Sequence, residues 1–359
     1  CTPHQRPQDA ALSPRKLHHA PHRVRRHPVL GAPTAGIPRR LLTSLLAVGT
    51  LVACQRVVHG ATRAAEPAPT ADHVPADVRA TVRDSVRRIL DQAVADGAFP
   101  GAYAVIGTRD GVIAEYAAGR LDRPAAARPA PHTDRDLASL TKVVNTTSAM
   151  LQLVGSGRVA LDSPVVRYLP EWKAAGAERV TVRHLLTHSA GLPAWRALYK
   201  EAASPEEAMT LILATPLDTV PGVRFVYSDL GFVLLGRLVE RVSGESLVQY
   251  GPSHVFGPAG MSETRFLPPA GWRARTAPTE QDPWRQRKLR GEVHDENAAR
   301  LGGVAGHAGL FSTAADLTRF ARLYLNYGSI DGVRLFDSTT VAMFTRVQDT
   351  TVSRRALGW

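Results

Sequence analysis

The chain has 359 residues, 44 % of them hydrophobic, enough for one large domain or two with a sizeable core. Its formal charge of +12 is uneven: residues 1–53 carry eight Lys/Arg against one acid, and the other 36 bases face 31 acids, leaving the body at only +5. No stripe of Lys/Arg with interleaved aromatics crosses that body, so nucleic acid is not an expected partner.

Residues 1–38 are rich in Pro, Arg and His without periodicity and open on Cys1 rather than Met. They read as a disordered leader, or as upstream sequence translated in frame. Residues 39–54, RRLLTSLLAVGTLVAC, place two arginines before a 13-residue apolar run that is too short to span a bilayer, which needs about 20. That is the pattern of an export signal. Its ending, Leu51-Val52-Ala53-Cys54, resembles a bacterial lipobox, which implies acylation of Cys54, a membrane anchor and a cell-envelope location. Residues 55–75 then form a linker. Both cysteines, Cys1 and Cys54, precede the globular part, so no disulfide is expected inside it.

The body is expected to begin at residue 76. Over 76–98, Val82, Val86, Ile89 and Ala93 recur at helical spacing, and Gly97 ends the pattern. Two apolar runs around Asp110-Gly111, within 101–119, predict a β-hairpin. From Leu137 to about Leu247 the signals are mostly helical, separated by Gly- and Pro-rich loops. Strand character returns near 303–312, and Thr313 with Asp316 makes a capping box for a helix over 313–328. The fold class is therefore α/β (α+β), with a helical subdomain inserted into a sheet-bearing one and a cleft at the junction.

Within DLASLTKVVNTT (136–147), Ser139 and Lys142 stand three apart on one helical face, and Leu140, Val143, Val144, Thr147 and Leu151 mark a neighbouring, inward face. A serine hydroxyl needs something to take its proton; a lysine desolvated in a cleft can do so, and a helix N-terminus offers N–H groups to an oxyanion. The pair alone is weakly specific, because Ser13 and Lys16 repeat it in the charged leader. Tyr227-Ser228-Asp229, just before an apolar helix, supplies a phenol that could relay a proton. The plainer alternative is a packing tyrosine with Asp229 capping the helix. Tyr324 belongs to the stripe Leu317, Phe320, Tyr324 and is expected in the core. Of thirteen histidines, five lie in residues 1–53 and none forms HExxH; His294-Asp295-Glu296 reads as a solvated or structural loop, and no metal site or cofactor is expected.

These segments together resemble the serine β-lactamase-related hydrolases: class C β-lactamases, penicillin-binding carboxypeptidases and related esterases. DLASLTK matches the nucleophile motif and VYSD the tyrosine motif. LDSPVVRYLPEW, TVRHLLTHSAGLP, FGPAGMSETRF, APTE and GGVAGHAGLFSTAADLTRF match recurring segments in the same order. The resemblance implies an antiparallel sheet flanked by helices, with Ser139 acylated, Lys142 as its base and Tyr227 as partner base. It implies an ester, amide, β-lactam or peptidoglycan-derived substrate; the alternative is a penicillin-recognising or peptidoglycan-binding protein with little turnover. Asp229 stands where the family often has Asn, and a carboxylate cannot donate a hydrogen bond to substrate unless protonated. His307, in His307-Ala308-Gly309, is the candidate for the third, substrate-binding motif, although its surroundings match the stretch before that strand. The family continues beyond RALGW into further strands and a helix. Residues 76–359 are thus expected to be an incomplete domain, inactive and poorly folded as a fragment of a parent hydrolase.

Overall fold

Pro75 leads into the helix Ala76–Ala95, and Gly97, at φ 77°, ends it in the left-handed conformation. The computed structural model describes residues 70–122 and 127–359; the leader, the signal-like segment with Cys54 and most of the linker lie outside the described residues. Among the described residues, no helix is long and apolar enough to cross a membrane. The first helix packs on the hairpin, where the Tyr116 hydroxyl donates to Asp91 at 2.8 Å. Ile89 is 63 % exposed and the helix has no fully buried residue, because it meets only a two-stranded ribbon.

That hairpin is the one expected from Asp110-Gly111: Gly101–Gly107 pairs antiparallel with Val112–Gly119, with a bulge at Ile106/Gly107. A second sheet joins three distant segments. Leu310–Ser312 lies between Arg135–Asp136 and Arg265–Phe266, antiparallel to both. It brings the chain just before Ser139 against the 303–312 segment.

The segment after Ser139 is helical from Leu140, with a π-helical turn over Lys142–Thr147 before the α-helix Ser148–Gly155. Such wide turns concentrate at functional sites. This one also rotates the apolar face, so Leu140, expected inward, is 51 % exposed while Val144, Thr147 and Leu151 are buried as expected. Met150, Leu151 and Leu153 pack with Phe232, Leu234 and Leu235 of the helix Asp229–Ser243, and with Phe256 and Phe344. Each such side chain contributes about 1.5–3 kcal/mol on burial. Ser228, not Asp229, caps the Asp229–Ser243 helix: its Oγ accepts from the Gly231 N–H, because Asp229 is the first helical residue. Thr313 caps the helix Ala314–Leu325 as expected, but the Asp316 carboxylate accepts from Thr264 and from the Glu263 N–H, so the reciprocal half of the box is missing. Tyr324 lies in the core, its hydroxyl 3.0 Å from Ser148 Oγ.

Segment 303–310 crosses the Asp229–Ser243 helix where both chains lack a side chain. A Cβ on Gly306 would stand 2.1 Å from the Phe232 carbonyl oxygen, and one on Gly236 would meet Gly306 Cα at 2.9 Å. The close crossing lets Thr146 donate to the Gly306 carbonyl at 2.7 Å and the Leu310 N–H donate to Thr141 at 3.1 Å. Gly306→Ala is therefore expected to destabilise the protein by roughly 2 kcal/mol or more, as overpacking against a rigid backbone does. Equilibrium urea unfolding measures this; an unchanged midpoint would contradict the account of the crossing.

Candidate active site

Asp136 accepts the Ala138 N–H at 2.8 Å and the His294 N–H at 2.7 Å, and Ala138 turns at φ 45°, unusual for a residue with a Cβ. Burial raises the Asp136 carboxyl above its ordinary range, against those two N–H bonds. The turn delivers Ser139, exposed, to the head of the helix. Lys142 follows one turn later and is 2 % exposed.

The Lys142 ammonium touches three groups. Nζ donates to Ser139 Oγ at 2.9 Å and to the His307 carbonyl oxygen at 3.2 Å, and it forms an ion pair with Asp229 Oδ1 at 2.7 Å, outside hydrogen-bond geometry. The rings of Tyr227 and Phe232 flank it, with centroids at 5.0 and 5.9 Å. The structure thus brings together Ser139, Lys142, Tyr227, Asp229 and His307, the whole set singled out in the body of the sequence, with two differences of role. Tyr227 meets the lysine through its ring face. His307 takes part through its backbone; its imidazole, 1 % exposed, points to Asp295, with Nε2 2.9 Å from Oδ1.

Asp295 was expected in a loop run and instead belongs to this cluster. It caps the helix Glu296–Arg300 by accepting the Ala298 N–H at 2.7 Å. Burial alone would raise its carboxyl; the bond from His307, the Ala298 N–H and the charge of Lys142 outweigh burial and hold it at about 2. Ligand atoms of Asp229, Asp295 and His307 lie within 4.8 Å of one another, the only such group among the described residues. The charge those carboxylates face is the Lys142 ammonium itself.

His188 is the second residue that the sequence did not disclose. Its backbone is left-handed, at φ 56°, and its buried Nδ1 accepts the Ser228 N–H at 3.0 Å. The ring stacks on Tyr227, with centroids 4.4 Å apart and planes at 28°, and leans on Phe232 at 5.0 Å. Burial, then the charges of Arg355 and Lys142, push it down to about 3, so it is a neutral spacer that fixes the Tyr227 loop. Because this folded value lies below the unfolded ~6.5, the unfolded chain binds the extra proton first, and stability falls as pH drops from ~6.5 toward 3. At ~1.4 kcal/mol per unit, the loss amounts to a few kcal/mol. His188→Gln keeps a hydrogen-bond acceptor without titrating, so its melting temperature should fall less steeply between pH 7 and 4 than that of the wild type. Parallel melting curves would refute the assignment.

The beta-lactamase family model matches residues 86–359. An N-acetylmuramyl-L-alanine amidase of Bacillus subtilis (strain 168) is 35 % identical over 311 residues, covering 76 % of this chain and 69 % of that protein. A protein of Escherichia coli (strain K12), provisionally named D-alanyl-D-alanine carboxypeptidase, is 34 % identical over 253 residues, covering 62 % and 58 %. The chain thus spans between 58 % and 69 % of the length of these two relatives. Among solved structures, EstCE1, a hydrolase with promiscuous acyltransferase activity, superposes with a TM-score of 0.64 at 22 % identity, over 79 % of this chain and 83 % of that one. At that identity the likeness concerns the fold.

Proposed function

Since the chain belongs to the beta-lactamase family, we propose that it is a serine hydrolase forming an acyl-enzyme at Ser139 on an amide of a peptidoglycan-derived substrate. The observation that carries this is the contact of Lys142 Nζ with both Ser139 Oγ and Asp229 Oδ1, at 2.9 and 2.7 Å. An ammonium cannot accept the serine proton, and Asp229 is placed to take one from it first. In this scheme, substrate excludes water, the proton shifts from Nζ to Asp229, and the free amine removes the Ser139 proton as Oγ attacks the carbonyl. The Asp229 carboxyl, now protonated, can donate a hydrogen bond to the substrate, which a carboxylate cannot do.

Collapse of the tetrahedral intermediate breaks the C–N bond, and Lys142 returns the proton to the leaving amine, while the Tyr227 ring covers the lysine. Water then hydrolyses the ester by the same path in reverse. His307 holds Nζ through its carbonyl, and Asp295 fixes the His307 ring; neither is assigned contact with the substrate. The amide preference, the peptidoglycan origin and the cell-envelope location rest on the names of the amidase and carboxypeptidase relatives. The membrane anchor at Cys54 rests on the lipobox-like sequence alone.

Two measurements test the proposal. Fluorophosphonate labelling followed by peptide mass spectrometry should place the adduct on Ser139, and N-acetylmuramyl-L-alanyl peptides should be cleaved between sugar acid and alanine. An adduct elsewhere, or none in folded protein, would exclude the mechanism.

A further inference from the structure

Tied through the backbone to the Asp229 and Asp295 segments, the surface carries a group of aromatic rings that the chemistry above does not use. Trp195 is 48 % exposed and Trp284 37 % exposed, with Tyr199 between them at centroid distances of 6.3 and 5.0 Å. Their position is tied to the site through the backbone. Trp195 follows Ala194, whose carbonyl accepts the Asp229 N–H at 3.0 Å. Asn297, two residues after Asp295, donates to the Arg196 carbonyl at 2.8 Å and accepts the Tyr199 N–H at 3.1 Å. The loop bearing Trp284 is held by Arg285, which donates to the carbonyls of Val293 and His294, the latter next to Asp295.

The rings are held in place while remaining open to solvent. The Arg285 and Arg300 guanidiniums flank Trp284 at 5.4 and 5.5 Å, and Arg300 is itself bound to the carbonyls of Ala203 and Tyr199. Against Trp284 lies a cavity of about 390 Å³, with Leu267, Val293 and Phe311 as apolar wall and Arg287 and Glu292 as polar wall. Rings splayed at 50° and 69° do not form the flat apolar face that a helix or sheet would cover. Exposed indoles beside charged hydrogen-bonding groups match a ligand that has C–H faces and polar edges in the same ring, as a pyranose has.

We infer that Trp195, Tyr199 and Trp284 form a saccharide subsite that binds an N-acetylated amino-sugar ring of the substrate while its amide lies at Ser139. This rests on the peptidoglycan origin proposed above and names the portion of that substrate which the aromatic rim takes. Trp195 adjoins Ala194, which is bonded to the Asp229 N–H, and Asp229 pairs with Lys142, so the sugar and the scissile amide would bind as neighbours.

The test separates binding from turnover by using the Ser139→Ala protein, titrated with N-acetylmuramyl-L-alanyl peptide and with the same peptide lacking the sugar, followed by tryptophan fluorescence and calorimetry. The sugar-bearing peptide should bind at least tenfold more tightly, with quenching of indole emission. Adding Trp195→Ala or Trp284→Ala should remove most of that advantage and leave affinity for the bare peptide within twofold. Trp284→Phe, which keeps a ring, should retain most of it and guards against a folding defect in the alanine variant, which circular dichroism would also reveal. Equal affinity for the two peptides, or an advantage undiminished in both alanine variants, overturns the subsite. If the sugar advantage is present and the wild type cleaves neither peptide, the hydrolase proposal fails and the subsite stands.

Discussion

In the parent hydrolase, Ser139→Ala is expected to lower amide and p-nitrophenyl ester turnover by ~10⁴-fold or more and to abolish fluorophosphonate labelling, with the fold unchanged. The size follows from what is removed: without Oγ no acyl-enzyme can form, and the remaining groups only bind and polarise the carbonyl. The small change in stability follows from position. Ser139 is exposed, and the hydrogen bond it shares with Lys142 leaves that ammonium its two other partners, Asp229 and the His307 carbonyl. The melting temperature should therefore stay within a few degrees of the wild type while activity disappears. Residual turnover within tenfold of the wild type, in protein free of wild-type contamination, would show that another group attacks the substrate.

Local chemistry was readable in the sequence where one segment decides the outcome. The hairpin around Asp110-Gly111, the stop at Gly97, the Thr313 cap and the spacing of Ser139 and Lys142 depend on residues within a few positions of one another. Roles set by partners far along the chain were not. Ser228 reaches His188 across 40 positions, and the His307 carbonyl reaches Lys142 across 165, so neither contact leaves a periodic trace. Asp295 illustrates the difficulty most plainly. A run of His, Asp and Glu has no common face on a helix or strand, yet here each member turns a different way. His294 pairs with Glu280, Asp295 with His307, and Glu296 opens a helix. Ile89 shows a related limit: periodicity reports which face is apolar, and the size of the opposing sheet decides whether that face is covered.

Substitution of Lys142 separates positioning from proton transfer. Lys142→Ala should reduce acylation by about 10²–10⁴-fold, the usual range for loss of a positioned acid–base group. It should also destabilise the protein, because Asp229 would keep a half-buried carboxylate without its cation; the roughly 3–5 kcal/mol lost with one partner of a fully buried pair is the upper limit, since the Asp229 side chain is 19 % exposed. Two effects in one variant are ambiguous, and Lys142→Arg resolves them. A guanidinium keeps the charge beside Asp229 and can donate to the His307 carbonyl, so most of the stability should return. It cannot give up its proton near neutral pH, so it cannot receive one from Ser139, and acylation should stay as low as in the alanine variant. The crossing of these two readouts, melting temperature recovered and fluorophosphonate rate not, is specific to a lysine that carries the proton. Recovery of both in Lys142→Arg would reduce Lys142 to an electrostatic support and require a different base. The groups left around Lys142 are then Asp229 and Tyr227, and Tyr227→Phe would choose between them.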